Sequence, residues 1–148
     1  MDAQAAPSET VAREISSRMW ALWADAPDAH AQDLLDSAMA RRVMLDFDGA
    51  MAAADALVAY CPDYAEGYNQ RAFVNFLRRD YAAALPDLNR TLALSPRHVA
   101  ALTGKALTLS ALDRTAEAAL ALRRALEMNP WLSERHLLPR LEKSEQEL

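Results

Sequence analysis

Three prolines set the frame of this chain. Pro62, Pro96 and Pro130 stand 34 residues apart, and under that offset other columns align without a gap. Ala38, Ala72 and Ala106 form one small-residue column, and Ala50, Ala84 and Ala118 form a second. Leu34, Tyr68 and Leu102 line up as large apolar residues, as do Val58, Leu92 and Leu126. Tyr60, Leu94 and Met128 fall two residues before each proline. Six columns at one period dictate a stack of like units, each closed by a residue that cannot continue a helix.

Each unit reads as helical. From Tyr81 the apolar residues Ala84, Leu85, Leu88, Leu92 and Leu94 follow the stripe of an amphipathic helix, with Asp80 placed to cap it. Asp48 is the corresponding expected cap of the helix before Pro62. Composition agrees: alanine makes up about a fifth of the 148 residues, β-branched residues are scarce, and there are only three glycines. One helix pair cannot bury its own apolar face, so stacking supplies the core. The fold class is therefore all-α.

A 34-residue helical period resembles the tetratricopeptide repeat (TPR). The second unit carries the likeness best. Counting Ala65 as position 1, it has an aromatic at 4 (Tyr68), Ala72 at 8 and Asp80-Tyr81 at 16–17. It continues with Ala84 at 20, Leu88 at 24, Thr91 at 27 and Pro96 at 32. The third unit keeps Leu102, Ala106, Ala118, Leu122, Ala125 and Pro130, and the first keeps mainly its second half. Arg71, Asn75 and Arg79 depart from the family's usual leucine, aromatic and glycine, and Pro86 predicts a kink within its helix. The resemblance implies a right-handed α-solenoid of about three helix-turn-helix repeats with flanking N- and C-terminal helices.

The organisation expected is a disordered start over 1–7 and a single TPR domain over 8–148. Within it lie an N-terminal helix (8–30), a degenerate repeat 1 (31–64), repeat 2 (65–98), repeat 3 (99–130) and a C-terminal capping segment (131–148). The N-terminal helix carries Val11, Ile15, Met19, Trp20 and Trp23 on one face, expected to pack on the first repeat. The capping segment opens like another first helix, meets Pro139, and ends in a polar run.

The chemistry of catalysis is thin. His30, His98 and His136 are far apart, and no zinc, Walker or nucleophile-elbow spacing occurs. Asp46-Phe47-Asp48-Gly49 lacks the rest of a calcium loop and reads as a helix start. Cys61, the single cysteine, sits just before Pro62 and reads as a structural thiol. The chain is read as no enzyme, with no cofactor and no metal. A net charge of −5 argues against nucleic acid, and no stretch approaches the ~20 apolar residues of a membrane span.

The resemblance implies where a partner sits. Positions 2, 5, 9 and 12 of each first helix face the concave side of the superhelix. They are Gln32, Leu35, Met39 and Arg42, then Glu66, Asn69, Phe73 and Phe76, then Thr103, Leu107 and Ser110 with Ala100. The expected function is a scaffold that binds an unidentified protein or peptide in this groove, as an extended segment or a helix. Self-association as a weak homodimer is the alternative. The Lys/Asn/Arg clamp of chaperone-binding members is missing, since Leu35, Met39, Gln70, Ala100 and Gly104 stand at its positions. The stretch Tyr60 to Ala72 and Ser95-Pro96-Arg97-His98 also resemble small bacterial TPR proteins, many of them exported. That implies a periplasmic home if a leader was trimmed, and a cytoplasmic one otherwise.

Overall fold

A computed structural model describes residue 10 and residues 25–146. The expectations for the disordered start and for the tryptophan-bearing face of the N-terminal helix lie outside the described residues. Seven α-helices follow, with no strand among the described residues: α1 Ala29–Val43, α2 Phe47–Tyr60, α3 Ala65–Leu77, α4 Tyr81–Leu94, α5 Val99–Ala111, α6 Thr115–Met128 and α7 Leu138–Gln146. A 3-10 turn, Ser133–Leu137, precedes α7. The fold is an all-α helical repeat.

The period is kept to the residue where the helices begin. Helices α2, α4 and α6 start at 47, 81 and 115, and α3 and α5 start at 65 and 99. The first helix breaks step: α1 begins at Ala29 because the Asp28 carboxylate accepts the Ala31 N–H at 2.8 Å and caps it there. Asp80 caps α4 as expected, accepting from Ala83 N–H at 3.2 Å. The cap of α2 is Asp46, not Asp48; its Oδ1 accepts from Gly49 N–H at 3.0 Å, and Asp48 lies in the first turn. Gly49 permits this closeness, since a Cβ there would stand 2.3 Å from Asp46 Oδ2. Helix α5 is capped by buried His98, whose Nδ1 accepts from Ala101 N–H at 3.1 Å.

The three hairpins turn alike, each through one left-handed residue. Leu45, Arg79 and Asp113, spaced by 34, lie in the left-handed region at φ 62°, 62° and 59°. The next residue's N–H reaches back to the helix in each: Asp46 to Arg41 O (2.8 Å), Asp80 to Asn75 O (2.8 Å) and Arg114 to Leu109 O (2.9 Å). These are Schellman closures, a geometry that glycine usually fills.

Two compact units divide the chain, one within residues 22–96 and the other within residues 97–148. In the first, α1 packs on α2, α2 on α3, and α3 on α4. Leu35, Ala31 and Leu57 join in one core cluster, and Ala38, Ala53 and Ala54 in another. The small-residue columns are what let paired helices approach: Ala50 and Ala84 are fully buried, as are Ala38 and Ala72. Helix α4 runs unbroken through Pro86. Arg71 replaces a leucine with a clamp across three helices. Its Nε and Nη2 donate to the two Asp87 carboxylate oxygens, both at 2.9 Å, and its Nη1 donates to Asp55 at 3.1 Å. In the second unit α5 packs on α6 over Ala106, Ala118, Leu122 and Ala125. Helix α7 then packs on α6 through Leu141, and Pro139 sits in its first turn, where a missing N–H breaks no bond.

Candidate functional site

The positions expected to face a partner belong to both units and are taken within each. In the 22–96 unit, register and burial part company. Leu35 is fully buried in the core cluster with Leu57. Glu66 and Asn69 are also closed off, at 1% and 5% exposed. Glu66 Oε1 accepts from Asn69 Nδ2 at 3.0 Å and from Gln70 Nε2 at 2.8 Å, so the Asn69 amide is engaged within its own helix. A buried carboxylate needs such donors, because desolvation without them costs several kcal/mol, roughly.

The network continues outward. Gln70 Oε1 accepts from Arg42 Nη1 at 3.1 Å, which ties α3 to α1. The Arg42 guanidinium then lies 4.0 Å from the centre of the Phe73 ring. Partial burial pulls the Arg42 pKa below its ordinary value, and the Glu66 charge works against that shift. Phe73 keeps 41% of its surface in water. Phe76, one turn on, is half-buried and meets Tyr81 edge-on at 5.4 Å. Met39 is half-buried against the Leu35 cluster. Gln32 accepts the Ala26 N–H at 3.0 Å and donates to Asp36 at 2.9 Å. The side chains this unit leaves at least partly exposed are thus Met39, Arg42, Phe73 and Phe76, of which Arg42 is bonded to the polar network through Gln70.

In the 97–148 unit Thr103, Leu107 and Ser110 come together on α5. They line a cleft of about 80 Å³ with Ala106, Leu122, Glu134, Leu137, Arg140 and Leu141. Thr103 is buried, and its hydroxyl donates to Val99 O at 3.0 Å, so it shapes the wall and offers no free hydroxyl. Ser110 stands exposed at the cleft and Leu107 is half-buried. The contribution of the 3-10 turn and α7 to this wall was not readable from the period, because residues 131–146 match no column.

Cys61 caps the end of α2, half-buried. Burial pushes its thiol above the ordinary value, away from the thiolate that nucleophilic work requires. Among the described residues no group of three or more His, Cys, Asp or Glu is placed to hold a metal ion, and no helix is long and apolar enough to cross a membrane.

Comparison with known proteins places these hairpins. No protein-family model matches the chain. A TPR repeat-containing protein of Rhizobium etli is 43% identical over 56 residues, which is 38% of this chain. The chain's match spans 28% of that relative's length. Among solved structures, the first TPR domain of Spaghetti (RPAP3) bound to an HSP90 peptide superposes with a TM-score of 0.76 at 21% identity, covering 78% of this chain and 93% of that one. MamA from Desulfovibrio magneticus gives 0.72 at 18% identity over 95% and 88%. The TPR2B domain of yeast Sti1, in complex with an Hsp70 peptide, gives 0.69 at 24% identity over 80% and 98%. At these identities the likeness to the solved structures carries the fold.

Proposed function

We propose, from the premise that this is a tetratricopeptide-repeat protein, that the chain is a non-catalytic scaffold whose first helices hold a peptide or helix of another protein. The observation that carries the reading is the Met39, Arg42, Phe73 and Phe76 cluster. Arg42 donates to Gln70 of the Glu66–Asn69–Gln70 network and lies over the Phe73 ring, and Met39 and Phe76 stand three residues from them on the same helices. Anchors of this kind, aromatic with arginine, dominate binding energy at protein surfaces. Support also comes from the RPAP3 and Sti1 domains, whose structures contain bound chaperone peptides. The chaperone-tail clamp itself is missing here, so the ligand differs from theirs: Arg42 and an aromatic pair select an apolar side chain next to a hydrogen-bond acceptor. The Thr103–Leu107–Ser110 cleft is a second binding face, sized for a single aliphatic group.

Selection of peptides from a displayed library on the wild-type chain tests this. Micromolar binders are expected, and Phe73→Ala or Met39→Ala should weaken them about tenfold or more, with circular dichroism unchanged. Unchanged affinity in both folded variants would remove the site.

A further inference from the structure

Residues 22–96 carry six arginines against eleven aspartates and glutamates, so carboxylates are in excess there. Four of the six arginines are ion-paired: Arg41 with Asp46 at 2.9 Å, Arg71 with Asp87 at 2.9 Å and with Asp55 at 3.1 Å, Arg78 with Asp48 at 3.5 Å, and Arg90 with Asp63 at 3.9 Å. Arg79 stands exposed at its turn, where water serves it. Arg42 is the exception. It is half-buried, yet it pairs with no carboxylate among the described residues.

Arg71 displays what Arg42 lacks. Its Nε and Nη2 donate side by side to the two Asp87 oxygens, and its Nη1 turns to a further acceptor, Asp55. Arg42 is engaged at the Nη1 end alone: that nitrogen donates to Gln70 Oε1 at 3.1 Å, and the guanidinium carbon lies 4.0 Å from the Phe73 ring centre. Its Nε and Nη2, the pair that forks onto a carboxylate, meet no acceptor among the described residues. Half-burial already disfavours the charged head, a cost that a carboxylate in the fork would offset.

We propose that Arg42 takes a carboxylate of the bound peptide through Nε and Nη2, beside an apolar group of that peptide resting on Phe73. The inference rests on the scaffold reading and names the chemistry it selects. A single carboxylate fits better than a phosphate or a run of acids. One guanidinium is open, the Glu66 charge lies behind Gln70, and the unit as a whole is acidic, so further negative charge is repelled. An acidic side chain and a peptide's own C-terminus share this chemistry.

Selection of random dodecapeptides on the full chain tests this, with the library displayed once with a free C-terminus and once with that end blocked. Each selected peptide is then compared with its amide twins: glutamine for glutamate, asparagine for aspartate, or a carboxamide for the terminal carboxylate. On the wild type one twin of each peptide should bind about 10- to 100-fold more weakly, and which twin it is identifies the source of the carboxylate. On Arg42→Met, which keeps an unbranched stem beside Phe73, acid and amide should bind alike, with circular dichroism unchanged. Arg42→Lys should lose most of the preference as well, because an ammonium has no fork, and it carries the comparison if Arg42→Met loses helicity. Twins that bind the wild type equally overturn the proposal, as does a preference that persists in both folded variants. If equal twins still weaken on Phe73→Ala, the scaffold reading stands without the carboxylate. A library that yields no binder removes both.

Discussion

Glycine at the three left-handed turn residues should stabilise the chain. Leu45, Arg79 and Asp113 each close a hairpin at φ near 60°, with the side chain facing water. The left-handed conformation costs a residue with a Cβ about 1–2 kcal/mol. Glycine removes that cost but loses about 0.5–1 kcal/mol through its freer unfolded chain. Leu45→Gly and Arg79→Gly should therefore each gain about 0.5–1 kcal/mol. Asp113→Gly should gain less, because aspartate tolerates the region through local hydrogen bonding. The three turns share no partner, so the effects should add to about 2 kcal/mol. For a chain of this size that is a rise in Tm of about 4–8 °C by circular dichroism, with the free energy itself read by urea titration. If Leu45→Gly and Arg79→Gly both lower Tm, the exposed side chains contribute more than the strain costs, and the reasoning fails.

Further expectations follow from particular contacts. Arg71→Leu should cost about 3 kcal/mol, because it strands the Asp87 carboxylate, 8% exposed, without its bidentate partner. Adding Asp87→Ala should return urea stability to within about 1 kcal/mol of wild type, whereas additive losses would show that the pair is not coupled. Pro86→Ala restores an N–H for the Ala82 carbonyl inside α4 and should stabilise by about 1–3 kcal/mol in the same titration; a loss would mean that the ring's packing matters more. The Asp28 carboxyl is held below its ordinary value by the Ala31 N–H, Asp46 by the Gly49 N–H, and Glu117 by Arg114. A depressed carboxyl contributes stability that is present above its unfolded pKa and is lost as pH falls through the folded one. Thermal melts should accordingly be flat from pH 7 to about 5 and fall below about pH 4, and Asp46→Asn should soften that fall. A Tm independent of pH down to 3 would contradict these caps.

The repeat was legible because its determinants are local and periodic. Alanine columns and a proline at each junction are choices of residue size and backbone, and they mark helix pairs whatever the partner residues are. The Asp80 cap was legible for the same reason. The cap of α2 was not: Asp46 and Asp48 both precede the apolar run, and the choice between them rests on how Gly49 lets the chain approach. The Arg71 clamp showed in the sequence only as a departure from leucine. Its partner Asp87 lies 16 residues away across a hairpin, a spacing with no helical meaning. At the candidate site, register assigned Glu66 and Asn69 to positions expected to face a partner. It did not tell how deeply they lie, since depth depends on neighbouring elements and on the acid–amide network that makes burial tolerable. His98 as a cap was missed because histidine is not among the usual capping residues.

The scaffold reading is tested most directly by mapping a selected peptide onto the chain through backbone and side-chain NMR shifts. The account predicts saturable changes at Met39, Arg42, Phe73 and Phe76, at Leu107 and Ser110, or at both sets, with α2, α4 and α6 quiet on their exposed faces. Changes confined to those second helices, or centred on Cys61, would contradict it.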